Sequence, residues 1–245
     1  MNVVKNVLAR VFALWALIVF VSTLVFMVPA SLLVGAWKEP RRSHIFQRII
    51  RVWMGTFFIF TGVRRIFKGR EIFKQKESFV IVSNHRSYMD PPLSCPGVPE
   101  ATKTIAKIEM VRVPLFGIIY RRGSVLVDRK NEASRKQSYI MMKKVLEMGL
   151  HMSIYPEGTR NRTREPLQKF HDGAFRLAVE TGHRMVPAVI FHTDKVLPLN
   201  KTFYYWPHKV EMHFLPPVPV ENKTATELKE EVFRIIKDYY VKHNY

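Results

Sequence analysis

Residues 81–90 read IVSNHRSYMD, an apolar run that is followed at once by a histidine, His85, and five residues later by an aspartate, Asp90. The run at 79–83 predicts a short buried strand. Side chains five residues apart point to opposite faces of a strand and lie about 140° apart on a helix. The two groups therefore meet only if the chain turns between them. A strand that ends and leads into a helix supplies such a turn, at the edge where α/β proteins place their ligands.

If the two side chains meet, their chemistry is specific. Asp90 accepts a hydrogen bond from one ring nitrogen of His85 and supports the imidazolium that forms when the other nitrogen takes a proton. His85 would then act as a general base toward a hydroxyl group. The residues alone leave two simpler interpretations open. His85 would be a turn histidine, or Asp90, which precedes Pro91, would be the N-cap of a helix with proline at its first position.

Strand and helix patterns alternate around this stretch. Further helical patterns lie at 132–148 and 173–180, and Thr224 and Glu227 have the spacing of a capping box before a last amphipathic helix. The pattern predicts an α/β fold with a mixed, partly parallel sheet flanked by helices. The predicted strands are 79–83, 102–106, 125–127, 152–155, 186–191 and 210–214.

A second polar cluster follows another predicted strand. Residues 155–161 read YPEGTRN, which places Glu157, Gly158, Thr159 and Arg160 at a strand end. An arginine there can hold a phosphate through two hydrogen bonds, and a glycine lets a ligand approach the backbone closely. A polar turn without a ligand is the simpler alternative.

The N-terminus is apolar enough to meet a membrane. Residues 11–36 carry no charge, and as a helix they would reach about 39 Å, enough to cross a bilayer core. A break at 38–42 precedes a second, less apolar segment at 44–63. We expect residues 1–63 to form a two-helix membrane anchor and residues 64–245 to form the α/β domain. We favour a hairpin that dips into one leaflet. A bilayer-spanning helix, helices packed on the core and a cleaved signal peptide are the alternatives.

The composition predicts an anionic partner. Lys and Arg total 39 against 20 Asp and Glu, which gives a net charge of +19. A nucleic acid is disfavoured, because the basic and aromatic residues form no nucleic-acid motif and the apolar segment has membrane length. Cys95 is the single cysteine, so no intrachain disulfide forms and a reducing compartment is expected. The nine histidines include no pair at metal-binding H-x-x-x-H spacing, so no metal is expected.

Five segments together resemble the glycerolipid acyltransferases. NHRSYMD (84–90) matches the family's N-H-x-x-x-x-D motif, and YPEGTRN resembles its F-P-E-G-T-R-S motif. GSVLVDR (123–129), VPAVI (186–190) and AKIEM (106–110, followed by Pro114 and Gly117) resemble three further motifs in the family's order. The resemblance runs from about residue 79 to 190, and the length and apolar N-terminus are similar to bacterial 1-acyl-glycerol-3-phosphate acyltransferases. Tyr155, Asn161 and Ala188 depart from the usual residues, which bears on substrate choice more than on chemistry.

The resemblance implies a role for eight residues. His85 is the implied base and Asp90 its orienting partner. Arg129 and Arg160, with Lys107, would hold the acceptor's phosphate. Glu157 would position the glycerol or stabilise its loop, and the glycine and threonine that follow it would shape that loop. A salt bridge with acidic neighbours is the structural alternative for the arginine at 129. The implied substrate-binding residues are Lys107, Arg129, Glu157, Gly158, Thr159 and Arg160.

The resemblance also implies an activity. A fatty acyl group would pass from a thioester of coenzyme A or acyl carrier protein to the sn-2 hydroxyl of lysophosphatidic acid, and phosphatidic acid would form. No cofactor is implied. The enzyme would bind membrane phospholipids, with its catalytic domain on the cytoplasmic side of the cell membrane. Another lyso-lipid acceptor, a transacylase, an inactive membrane-binding protein, and an acyl-enzyme on Cys95, Ser87 or Ser94 remain open.

Overall fold

The computed structural model describes residues 3–243 of the chain. Short 3-10 turns at Val34–Ala36, Arg70–Lys74 and Ile108–Arg112 join some of its elements. The helices are α1 (Val3–Leu33), α2 (Arg41–Phe60), α3 (Asp90–Gly97), α4 (Phe116–Gly123), α5 (Glu132–Glu147), α6 (Gly173–Thr181), α7 (Thr193–Val196) and α8 (Ala225–His243). The strands are β1 (Arg65–Lys68), β2 (Val80–Ser83), β3 (Thr102–Lys107), β4 (Ser124–Val127), β5 (His151–Ile154), β6 (Met185–Phe191) and β7 (Val210–Phe214).

The seven strands form one sheet in the order β1-β7-β6-β2-β5-β3-β4. Every neighbouring pair is parallel except β6 and β7, which run antiparallel. The predicted mixed, partly parallel sheet is therefore confirmed, and each predicted strand matches an observed one within about two residues, the error expected at element ends. β1 was not predicted, because its four residues carry two charges and none of them is fully buried.

Helices cover both faces of the sheet, and each face has its own apolar core. The first core joins side chains of α1, α2 and α3 to one face, and the second joins α5, α6 and α8 to the other. Three of the four residues of β2 are apolar and all four are buried, as expected for a strand that is covered on both faces. Phe79 and Ile81 belong to the first core, and Val80 and Val82 belong to the second.

The N-terminal helices form an antiparallel pair that also packs on the first core. The indole of Trp15 donates to the carbonyl of Phe60 at 2.8 Å, and the indole of Trp53 donates to the Thr23 hydroxyl at 2.9 Å. The expected two-helix hairpin is present and packs on the domain core, and its insertion into a membrane stays a prediction. One helix within residues 3–243, Val3–Ala36, is long and apolar enough to cross a bilayer. The division into two domains at residue 63 stays a prediction.

This topology decides where functional groups gather. β2, β3, β4, β5 and β6 are mutually parallel, so their carboxyl ends meet at one edge of the sheet. The segments that follow these strands carry His85, Arg129, Glu157 and Thr193, and Lys107 ends β3 itself. Residues separated by more than 100 positions in the chain are thereby brought to one edge, as expected for an α/β sheet.

Candidate active site

The histidine and aspartate of the opening motif are in direct contact. His85 Nδ1 lies 2.6 Å from Asp90 Oδ2. The same carboxylate oxygen accepts the backbone N–H groups of Arg86 at 2.7 Å and Ser87 at 2.8 Å, and the other oxygen accepts the hydroxyl of Thr193. The Asp90 side chain is fully buried. The N-cap interpretation is wrong, because Asp90 is the first residue of α3 and its carboxylate caps no helical N–H.

The imidazole ring is held on a second side by an aromatic ring. Tyr155 stacks on His85 with ring centroids 4.1 Å apart and an angle of 17° between the planes. The Tyr155 hydroxyl lies 2.6 Å from the Ser94 hydroxyl, and burial raises the pKa of Tyr155 well above its usual value, so the phenol stays neutral. His85 Nε2 makes no hydrogen bond with residues 3–243, and 14% of the His85 side chain is exposed. This nitrogen is therefore free to meet a substrate.

Glu157 supports the loop that carries the histidine. Its carboxylate accepts the backbone N–H of His85 at 2.7 Å and that of Gln168 at 2.9 Å, and only 3% of the residue is exposed. Burial raises the pKa of Glu157 to about 7, although these hydrogen bonds act in the opposite direction. Of the two implied roles, loop stabilisation matches these contacts. The backbone N–H of Asn161 also donates to the His85 carbonyl at 2.7 Å.

Gly158 and Thr159 form the turn beside this carboxylate. Gly158 has a φ of +70°, and a Cβ at this position would lie 2.9 Å from the ring of His171, so both conformation and space require glycine. The Arg129 guanidinium donates to the Gly158 carbonyl. The salt-bridge interpretation of Arg129 is therefore wrong for the described residues 3–243. The Thr159 hydroxyl donates weakly, at 3.5 Å, to the side-chain oxygen of Gln168.

The other two implied phosphate ligands lie at the same edge but are held differently. The guanidinium of Arg160 stacks on the ring of Tyr88, 3.6 Å from its centroid, which leaves its N–H groups available in the plane. Lys107 is exposed at the end of β3 and pairs in register with Val127, two residues before Arg129. Its side chain makes no hydrogen bond or ion pair with residues 3–243. The roles of all eight residues stay predictions.

An apolar cavity of about 130 Å³ begins beside this site. Pro91, Pro92 and Cys95 of α3 line it, and Phe20 and Trp53 of the N-terminal helices line its opposite wall. Burial raises the pKa of the Cys95 thiol to about 11. The cavity therefore offers an almost wholly nonpolar space next to a polar, charged edge.

Some of these contacts were not predicted from the sequence. Thr193 completes the hydrogen bonding of Asp90, and Ser94 that of Tyr155. Thr193 could have been placed at this edge from the sequence, because it follows the predicted strand at 186–191 and parallel strands end at one edge. Ser94 could not, since it lies on the helix after the motif. Within residues 3–243 no three His, Cys, Asp or Glu side chains are grouped as a metal site requires. The expectation of no metal stays a prediction.

The chain is similar in sequence and in structure to known acyltransferases. A 1-acyl-sn-glycerol-3-phosphate acyltransferase of Borreliella burgdorferi is 29% identical over 211 residues, which cover 82% of this chain and 79% of the relative. The human 1-acyl-sn-glycerol-3-phosphate acyltransferase beta is 28% identical over 224 residues, covering 90% and 80%. The crystal structure of the 1-acyl-sn-glycerophosphate (LPA) acyltransferase PlsC from Thermotoga maritima superposes with a TM-score of 0.82 at 20% identity, covering 98% of each chain, which shows a shared fold.

The family profile described as Acyltransferase matches residues 64–191, more than half of the chain. That range contains all eight of the residues that the sequence motifs singled out. The chain therefore belongs to the acyltransferase family.

Proposed function

We propose that this chain transfers a fatty acyl group from a thioester to the sn-2 hydroxyl of 1-acyl-glycerol-3-phosphate, which makes phosphatidic acid for phospholipid synthesis. The observation that carries the proposal is the buried Asp90 carboxylate 2.6 Å from His85, whose second nitrogen is free at an edge that also presents Arg129 and Arg160. The curated relatives reported above carry the name of this activity.

The geometry supports direct attack by the acceptor. His85 Nε2 takes the proton of the acceptor hydroxyl while its oxygen bonds to the thioester carbonyl carbon. The tetrahedral intermediate then collapses, the carbon–sulfur bond breaks, and the imidazolium returns its proton to the departing thiolate. Asp90 stabilises the imidazolium between these two steps, because its fully buried carboxylate lies 2.6 Å from Nδ1.

An acyl-enzyme is disfavoured by the contacts of each proposed nucleophile. A thiol with a pKa of about 11 is almost wholly protonated at neutral pH, and Cys95 lines the apolar cavity. The Ser94 hydroxyl is engaged with Tyr155 and the Ser87 hydroxyl donates to the Leu197 carbonyl at 2.8 Å. None of the three hydrogen-bonds to His85 within residues 3–243.

The surroundings of the pair match the two ends of the substrates. Arg129 and Arg160, with Lys107, hold the acceptor phosphate, since guanidinium groups bind phosphate through two parallel hydrogen bonds. The apolar cavity beside Pro91 and Pro92 takes part of an acyl chain, for which a nonpolar lining is the required environment. No cofactor or metal takes part in this scheme. The donor, a thioester of coenzyme A or acyl carrier protein, is a co-substrate.

We place α1 in the plane of one leaflet, with the domain on the cytoplasmic side. Both ends of α1 are tied to the domain, through the Ala9 carbonyl that accepts the Tyr205 N–H at 3.1 Å and the Leu32 carbonyl near Arg122. A helix attached along its length would carry polar domain surface into hydrocarbon if it crossed the bilayer. Its outward face is apolar, with Val11 60% and Phe26 74% exposed, as an interfacial helix requires.

The test is acylation of lysophosphatidic acid by the purified protein, with each of the two thioester donors and with other lyso-lipids in parallel. We expect phosphatidic acid as product, loss of turnover in His85→Ala, and retention in His44→Ala, a matched control on α2 that lies 4.0 Å from Glu100. Turnover should survive exhaustive chelation. If the protein prefers another acceptor, that lipid is its substrate. Full activity of His85→Ala would refute the proposed mechanism.

A further inference from the structure

A second cavity, of about 500 Å³, lies along α4 and is lined by four basic side chains from three elements: Arg42, Lys103, Arg121 and Arg122. Gly117 and Ile118 of α4 line it, whereas the apolar cavity is lined by other α4 residues, Phe116, Ile119 and Tyr120. Lys103 is the second residue of β3 and Arg122 lies two residues before β4, so these basic side chains lie toward the amino-terminal edge of the sheet, away from the catalytic edge. The cavity is a separate site.

The positive charge of this cavity exceeds what the protein neutralises. Among residues 3–243, Glu39 is the carboxylate that pairs with these basic side chains. It lies 3.0 Å from Arg42 and 3.1 Å from Lys103. Four cations and one carboxylate leave an excess of three positive charges. Arg121 has no hydrogen-bond or ion-pair partner within the described residues. Such an excess on a concave surface attracts anions.

Arg122 shows the strongest need for an acceptor. Its Nε is buried and has no hydrogen-bond partner within residues 3–243, and its Nη2 makes only a long contact, 3.4 Å, with the Leu32 carbonyl. Partial burial and the neighbouring charge of Arg42 lower the pKa of Arg122. Nε is closed to solvent, so an anion in the cavity would meet the guanidinium at its Nη groups, which residues 3–243 satisfy only through that long contact.

The position of the cavity identifies the source of the anion. The Arg122 guanidinium lies against Gly35, just after α1, where a Cβ would meet its Nη2 at 2.7 Å. Leu33 is 71% exposed and Trp37 is 38% exposed in the same segment. Exposed apolar side chains and an indole in the segment that contacts a cationic cavity match the acyl chains, interface and headgroups of a leaflet.

We propose that this cavity binds the phosphate group of an anionic phospholipid of the membrane in which α1 lies. Arg121 and Arg122 hold the phosphate oxygens, and the lipid's chains run along the exposed apolar side chains at the end of α1. The site fixes the depth and tilt of the domain on the leaflet. It is independent of the acyl transfer proposed above, since it requires neither the donor nor the catalytic pair.

Vesicle sedimentation tests the site. A double variant, Arg121→Gln with Arg122→Gln, is compared with a control that removes the same charge from the other face of the sheet, Lys144→Gln with Lys237→Gln. We expect the first to weaken binding to phosphatidylglycerol vesicles by about 30-fold and the second by about twofold or less. Neither should change binding to phosphatidylcholine vesicles. Lys103 bonds the backbone carbonyl of Arg122, so that contact survives the substitution.

Native mass spectrometry of the protein in neutral detergent gives the second readout. We expect one phosphatidylglycerol to be retained by wild type, by His85→Ala and by the control, and lost from the cavity variant, with unchanged circular dichroism. Equal losses in both double variants would overturn the proposal in favour of general surface attraction. Displacement of the lipid by chain-free glycerol phosphate at equal concentration would overturn it in favour of a soluble phosphate ligand. The His85→Ala sample separates either failure from a failure of the proposed enzyme activity.

Discussion

Asparagine at position 90 separates two contributions of the aspartate, its hydrogen bonds and its charge. The oxygen Oδ2 accepts His85 Nδ1 and the backbone N–H groups of Arg86 and Ser87, so the oxygen of an asparagine must occupy that position. Its amide nitrogen then faces Thr193, whose hydroxyl accepts as readily as it donates. We therefore expect Asp90→Asn to keep the loop, the orientation of the ring and a proton on Nδ1.

What this variant loses is the negative charge beside the imidazolium. Two unit charges about 4 Å apart attract each other by about 4 kcal/mol at an effective dielectric constant of about 20. This attraction exists only when His85 is protonated, so its loss raises the barrier and not the free energy of the bound substrate. We expect kcat for acylation of lysophosphatidic acid to fall about a thousandfold, with KM changed little.

The assay measures kcat and KM for Asp90→Asn beside an exposed control, Asp172→Asn, whose carboxylate contacts Lys229 at 2.6 Å. Nitrogen NMR of the histidine ring reports whether Nδ1 remains protonated. A loss of less than about tenfold would refute the general-base mechanism, because acid–base catalysis contributes about 10²–10⁴-fold. A proton found on Nε2 would refute the hydrogen-bond argument, since the asparagine would then have rotated.

Three further substitutions probe the surroundings of the pair. Arg160→Lys removes the planar group that stacks on Tyr88, and we expect KM for the acceptor to rise about tenfold while KM for the thioester is unchanged. Tyr155→Phe keeps the ring on the histidine but loses the bond to Ser94, so stability should fall by about 1 kcal/mol and turnover by less than about fivefold; a larger loss of turnover would assign the hydroxyl a direct role. Burial raises the pKa of Glu157 from 4.5 to about 7. Between these two pH values the folded protein keeps a proton on Glu157 that the unfolded chain has released. The free energy of unfolding of wild type, measured relative to Glu157→Gln, should therefore fall by about 3 kcal/mol as pH rises from about 4.5 to about 7, and a flat difference in chemical unfolding across that range would contradict the raised pKa.

The order of strands in the sheet was beyond the sequence, although most strands were not. Buried parallel strands such as β2 and β6 are almost wholly apolar, so they can be recognised one at a time. The capping box before α8 was equally readable, and the Thr224 hydroxyl does accept the Glu227 N–H, at 3.2 Å. β1 was invisible because an edge strand satisfies only one side of its hydrogen bonding and tolerates charges such as Arg65 and Lys68. Pairing order depends on contacts between distant segments, which no local pattern contains.

Some features of the candidate site could be predicted from the sequence and others could not. The contact between His85 and Asp90 was predictable, because only a turn after a strand lets those two positions meet. The neutral phenol of Tyr155 above the imidazole was not, because stacking depends on how β2 and β5 pair. Nor was the burial that raises the pKa of Glu157, since a glutamate in a polar turn is ordinarily exposed.

The two faces of the N-terminal helix α1 differ in the size of their side chains more than in polarity. After Arg10, α1 carries no charge on any side, so its hydrophobic pattern does not distinguish a spanning helix from one that lies on a leaflet. Its buried face in the first half is small, with Ala9, Ala13 and Ala16 against the protein, whereas side chains such as Leu17 and Ile18 are about half exposed. Small residues let a helix backbone approach its neighbour closely, and the larger apolar side chains are left on the exposed face. This combination of a small buried face and a large exposed apolar face supports the proposed placement of α1 along one leaflet, which remains a proposal.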